Sequence, residues 1–167
     1  EVQIILSQCE KDLSRMGDPE LGLGIWRDLL PLVNLTADAS GGKWQFNGCS
    51  LTLEEAAPNA MVSLPEKLLG NYQVLVRLIP GEQSDCLIDL PVGGGRAVTV
   101  VVSGDKGGLG KVGKGLLPAS VKDYEAGKAC TVKASVTTVG KVEVTIHVNG
   151  LLYVKWSGQS KDVDRDL

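Results

Sequence analysis

The chain is poor in the residues that most chemistry needs. Its 167 residues include one histidine, one phenylalanine, two methionines, three tryptophans and three tyrosines, with 4% aromatic content. A single histidine leaves little room for a Ser-His-Asp arrangement. The four cysteines, Cys9, Cys49, Cys86 and Cys130, are spread widely and never form CxxC, which argues against a zinc site. They read as buried thiols, because free cysteine behaves as a small hydrophobe; one or two disulfides in a secreted protein are the alternative. Few aromatics, a net charge of −3 and a pI near 5.2 argue against a nucleic-acid surface. No apolar run reaches membrane-spanning length. Residues 1–17 lack the basic start and small-residue cleavage site of a signal peptide. The chain begins at Glu1 rather than Met, as expected of a chain that is processed or excised from something longer. The compartment is left open, with an extracytoplasmic one favoured.

What is present is ordinary globular composition, 43% hydrophobic and 22% charged, enough for one domain with a sizeable core. Glycine is abundant at 21 residues, as many turns between short strands require. Val2, Ile5, Leu6, Cys9, Leu13 and Met16 fall on one helical face, which predicts an amphipathic helix over 2–16 that Gly17, Asp18 and Pro19 stop. The expected organisation is a helix within 1–18, a connector over 19–28 in which Trp26 anchors the chain, and a β-domain over 29–167. Strands are predicted near 32–36, 43–47, 50–54, 60–64, 71–79, 85–90 and 96–103. Turn signals such as Gly41-Gly42, Asn47-Gly48, Pro58-Asn59 and Gly93-Gly94-Gly95 separate them. The run Val98–Val102 is apolar on both faces, as in a central strand covered on both sides. Residues 104–128, rich in Gly and Lys, read as a long surface loop.

The clearest signal is Ala129–Trp156. Cys130, Val132, Ala134 and Val136 alternate with Thr131, Lys133, Ser135 and Thr137; Val142, Val144, Ile146 and Val148 alternate with Glu143, Thr145, His147 and Asn149. Each strand therefore has one core face and one wet face. A three-residue loop, Thr138-Val139-Gly140, pairs Val136 with Val142, Ser135 with Glu143 and Lys133 with Thr145, leaving Lys133 diagonal to Glu143 and within reach of a salt bridge. Asn149-Gly150 signals a type I′ hairpin that pairs Val148 with Leu151 and His147 with Leu152. Carried onward, that register sets Trp156 beside Glu143 on the wet face. A half-exposed indole among polar groups suits a sugar: the ring stacks on the apolar pyranose face while neighbours bond the hydroxyls. Lys133, Glu143, His147 and Trp156 are thus the candidate ligand-binding residues; the alternative is that Trp156 is covered and His147 is a solvated strand residue.

Other motifs fail on their own requirements. Gly108–Gly113 matches GxGxxG, but no helix opens there, and Gly115 stands where GxxxxGK needs Ser or Thr. No cofactor and no metal are expected. Glycosidase chemistry needs two carboxylates flanking a bond. Glu54-Glu55 point to opposite faces if extended, Asp85 and Asp89 share a face with Leu87 between them, and Glu143 is alone on its strand, so no catalytic set is assigned. Asn34-Leu35-Thr36 fits a glycosylation acceptor, a triplet common by chance.

The segments WRDLLPLVNL, GKWQFNGCSLTL, LPEKLLGNYQVLVRLI and ACTVKASVTT…VEVTIHVNGLLYVKWSG, in that order, resemble the concanavalin A-like lectin/glucanase jelly rolls, in particular the bacterial family named for 3-keto-disaccharide hydrolases. The resemblance runs from about Trp26 to Gly158. Its most specific parts are Gly42-Lys43-Trp44, the strand entered through Gly70-Asn71-Tyr72, and Val148-Asn149-Gly150 followed by Trp156. It implies an all-β, antiparallel two-sheet jelly-roll sandwich, here preceded by one helix, with any carbohydrate on the concave face or its rim. The Glu-x-Asp-x-x-Glu run of the related glucanases is not found, and where the family continues past Trp-Ser-Gly with closing strands this sequence has the charged tail SGQSKDVDRDL, so either the last strands are missing or the helix at 2–16 and the early strands cover the gap. The expected function is carbohydrate recognition, with a possible saccharide ligand as partner. Hydrolysis of a modified disaccharide is the second expectation. A structural or interaction module that meets a neighbouring domain through the N-terminal helix is the third.

Overall fold

The computed structural model describes the backbone of residues 2–5 and residues 27–48, 50–55, 57, 59–68, 70–81, 85–103, 106–113, 115–119 and 125–164. Thirteen strands lie among them: β1 (Val2–Ile5), β2 (Ala39–Ser40), β3 (Lys43–Phe46), β4 (Leu51–Glu55), β5 (Met61–Val62), β6 (Tyr72–Ile79), β7 (Cys86–Gly93), β8 (Arg96–Val102), β9 (Gly108–Gly110), β10 (Leu117–Pro118), β11 (Cys130–Thr137), β12 (Val142–Val148) and β13 (Leu151–Gly158). The one α-helix in the described residues is the single turn α1 (Leu35–Asp38).

All strand pairs are antiparallel. A seven-stranded sheet runs β13-β12-β11-β6-β1-β4-β3 and a four-stranded sheet runs β10-β9-β8-β7, with β2 and β5 forming a separate pair. The chain leaves the large sheet after β6, builds the whole small sheet, and returns as β11 beside β6. One apolar core joins the two sheets. Val76, Leu78, Val132, Ala134, Val144 and Ile146 come from the large one, and Leu90, Val92, Val98, Val100, Val102 and Leu109 from the small one. Two tyrosines tie the sheets by donating to carbonyls of the small sheet: Tyr72 Oη to Pro91 O at 2.7 Å and Tyr153 Oη to Val101 O at 3.0 Å. Such bonds satisfy hydroxyls that burial would otherwise strand.

Most predicted strands stand where alternation placed them, and β8 is an interior strand of its sheet with Ala97 and Thr99 buried on its outer face. Three expectations are corrected. Residues 2–5 form a strand rather than the start of a helix: β1 pairs with β4 on one side and β6 on the other. Two ladders outweigh helical periodicity in a segment rich in β-branched residues. The rest of the predicted helix, most of the connector and Trp26 lie outside the described residues. The strand predicted near 32–36 is instead a 3-10 turn, Leu30–Leu32, followed by α1. Asn34 caps that helix by accepting from Thr36 N at 3.0 Å, and Asp38 Oδ2 accepts from Asn34 N at 2.8 Å. Local side-chain bonds of this kind nucleate a helical turn despite apolar neighbours.

The Gly-rich segment is the third. It contributes β9 and β10 to the small sheet, with Leu109 fully buried and Val112 bridged to Val163. Two of its glycines serve close packing. A Cβ at Gly107 would lie 1.6 Å from Tyr153 Oη, and one at Gly108 would lie 2.1 Å from Leu117 O.

Candidate ligand-binding face

The outer face of the large sheet follows from strand parity. On β11, Cys130, Val132, Ala134 and Val136 are buried, so Thr131, Lys133, Ser135 and Thr137 point outward and are half-buried among their neighbours. The adjoining strands match this face residue for residue. Thr131 stands opposite Arg77, Lys133 between Leu75 and His147, Ser135 between Gln73 and Thr145, and Thr137 opposite Glu143. On β13, Leu152 faces His147, Lys155 faces Thr145 and Ser157 faces Glu143.

The observed β11–β12 register lies two residues from the predicted one. The last pair is Thr137–Glu143, and Lys133 faces His147 rather than Thr145. Alternation fixes register only to a multiple of two, since a two-residue slide keeps every side chain on its face. The wider turn lets Thr138 N donate to Asn71 Oδ1 at 3.0 Å, tying it to the entry of β6. The slide also removes the expected Lys133–Glu143 contact. The two now sit ~14 Å apart along the strands; ion pairs among the described side chains include Arg27–Glu66, Lys43–Glu54, Lys111–Asp89 and Lys128–Glu125.

Trp156 is the larger correction. The Asn149-Gly150 hairpin forms as expected, with φ of 51° and 83° and the pairs Val148–Leu151 and His147–Leu152. The register then shifts between Ile146 and His147: Val154 pairs with Ile146 and Trp156 with Val144. Tyr153 and Val154 are consecutive and both 2% exposed. A β-bulge has placed two adjacent side chains on the inner face, which reverses parity for the rest of the strand. Trp156 therefore packs, half-buried, against the core and not beside Glu143. Its ring lies on Gly158, where a Cβ would come within 2.3 Å of it. The sequence does hold a trace of the bulge: Leu151-Leu152-Tyr153-Val154 is four apolar residues with no alternation.

The face thus gathers Lys133 and His147 as direct neighbours, keeps Glu143 on the same surface at its far end, and excludes Trp156. Sequence reasoning did not place Arg77, Gln73 or Lys155 there, because their membership depends on which strands become neighbours. Another feature it missed lies at one end of the sandwich. Gly140, Lys141, Gly158, Gln159, Lys161 and Asp162 line an open depression of about 530 Å³. Asp162 there is engaged, accepting from Gln159 N at 2.8 Å.

No group of three or more His, Cys, Asp or Glu side chains gathers among the described residues. Asp89, a candidate carboxylate, accepts from Thr99 Oγ1 at 2.5 Å and lies 3.9 Å from Lys111 Nζ, on the outer face of the other sheet. No helix of the described residues is long and apolar enough to cross a membrane. Comparison with family models, curated proteins and solved structures returns no match for this chain.

Proposed function

We infer that this protein is a saccharide-recognition module and that its ligand lies on the outer face of the large sheet. The observation that carries this reading is the set of hydrogen-bonding side chains across β6, β11, β12 and β13: Lys133 beside His147 in a row that Leu75 and Leu152 bound, Ser135 beside Thr145, Thr137 beside Glu143, with Gln73, Arg77, Lys155 and Ser157 around them. A sheet face holds such groups at fixed spacing, so a polyhydroxylated ligand meets donors and acceptors already in place. The finer architecture under this reading is a jelly roll of the concanavalin A-like kind. The return of β11 beside β6 after four strands in the opposite sheet supports it. Recognition is preferred to hydrolysis because Glu143 is the one carboxylate on this face of the four strands, and glycoside hydrolysis takes two.

Calorimetric titration against a panel of oligo- and polysaccharides tests the reading. Binding is expected, and His147→Ala should weaken it by roughly 3–10-fold, the worth of one hydrogen bond. Trp156→Phe should leave affinity unchanged because its ring faces the core. Absence of saccharide binding, or binding lost with Trp156→Phe and kept with His147→Ala, sinks the assignment to this face.

A further inference from the structure

We propose that Cys86 and Cys130 form a reversible disulfide that locks the small sheet onto the large one in an oxidising environment. Both are free thiols in the structure, and both are buried in the core that the two sheets share. They hold matching places in the topology. The chain leaves the large sheet after β6, and Cys86 is the first residue of β7, where the small sheet begins. Cys130 is the first residue of β11, where the chain rejoins the large sheet. A bond between them closes all four strands of the small sheet, β7 to β10, into one loop.

The packing brings the two strands close. Sheets stacked face to face ordinarily stand ~10 Å apart. Residues of β7 and β11 approach within 8 Å between Cα atoms, nearer the roughly 4.4–6.8 Å that a disulfide spans. The nearness of Cys130 also pushes the Cys86 thiol up, an interaction that weakens with distance. The surroundings are apolar: Cys130 pairs with Leu78 and Cys86 with Val102. Among the described residues no third metal-ligating side chain joins the two thiols. The oxidant is a small-molecule disulfide. One cysteine thiolate attacks a sulfur of the oxidant, expels a thiolate and forms a mixed disulfide; the second cysteine then displaces the other half. The two cysteines lose two electrons and two protons, and the oxidant leaves as two thiols. Burial keeps both thiols protonated, so exchange is slow in the closed fold. Each cysteine opens its strand, and fraying of those two ends is enough to admit the oxidant.

The test equilibrates the folded full chain with a glutathione redox buffer, without denaturant. Remaining thiols are then blocked with iodoacetamide, and a non-reducing tryptic digest is mapped by mass spectrometry. The expected product joins peptide 78–96 to peptide 129–133 and is two hydrogens lighter than the pair. The oxidised chain should have its urea midpoint raised by ~1 M, and dithiothreitol should return it to the starting value. Cys9→Ser/Cys49→Ser should keep both the cross-link and the shift, and Cys130→Ala should lose both. The map of the native chain decides without any variant. Thiols left free at equilibrium with the buffer, glutathione adducts that never resolve, a cross-link of Cys86 or Cys130 to Cys9 or Cys49, or a cross-link that leaves the midpoint unchanged would each overturn the proposal.

Discussion

Cys86 and Cys130 open strands β7 and β11 and are buried in the shared core as free thiols. Burial disfavours the thiolate, and each is pushed up to about 11 from an ordinary 9.0, with the nearness of Cys130 adding to the effect on Cys86. The consequence for stability has a definite sign. Below pH 9 folded and unfolded chains both keep these protons, so the thiols add no pH dependence. Between about 9 and 11 the unfolded chain releases them while the folded chain holds them, and stability falls as pH rises. Burial raises Tyr72 and Tyr153 as well, extending the decline upward. The denaturant midpoint should therefore drop across this window, and less steeply for Cys86→Ala/Cys130→Ala; an unchanged slope would show that these thiols are not held protonated. The inward position of Cys130 was readable from its alternation with Val132, Ala134 and Val136. That Cys86 shares its core was not, because the two lie on strands of different sheets.

Among the elements, β13 and β9 show how one residue's geometry constrains a distant one. Tyr153 reaches Val101 O only because the bulge turns it inward, and Gly107 leaves the space its hydroxyl occupies. Gly107→Ala should cost ~2 kcal/mol or more, since the new methyl must displace that hydroxyl from a packed site. Tyr153→Phe should cost ~1 kcal/mol for the lost hydrogen bond. In denaturant titrations the double variant should be less destabilised than the sum, by ~1 kcal/mol, because removing the hydroxyl relieves part of the clash; strict additivity would mean the two residues do not meet. The strands themselves were largely legible: β11 and β12 alternate cleanly, β8 is apolar but for Arg96 and Thr99, and β6 is rich in Val and Leu between turn signals. Strand β9 was hidden because two of its three residues are glycines, which show no alternation; the crowding of Gly108 by the backbone of Leu117 is visible only once the strands are paired.

At the scale of the molecule, β1 is the joint of the large sheet. The order β6-β1-β4 means that β3 and β4 reach β6 and the rest of the sheet through a strand from the start of the chain. Leu51 and Leu53 are buried but stand outside the cluster that unites the two sheets. A proline at Ile4, which pairs with Leu51 and Leu78, removes a donor from a strand flanked on both sides. Ile4→Pro should therefore collapse hydrogen-exchange protection in β3 and β4 while β11–β13 keep theirs, as expected of separate cooperative units. Protection retained at Leu51–Glu55 would show that β1 does not hold the halves together.

The sequence by itself determined which residues of β11 and β12 face the core, since alternation with period two leaves each strand only one way to bury its valines. It also determined the Asn149-Gly150 turn, whose two positive-φ positions suit those two residues. It did not determine register beyond parity, and it did not determine the face of Trp156. The tertiary structure decided both: Asn71 binds the amide of Thr138, and Tyr153 and Val154 enter the core together, so one extra residue reverses the strand beyond them. Lys133, His147 and Glu143 remain on one surface because a slide of two preserves parity; Trp156 leaves it because a bulge of one does not.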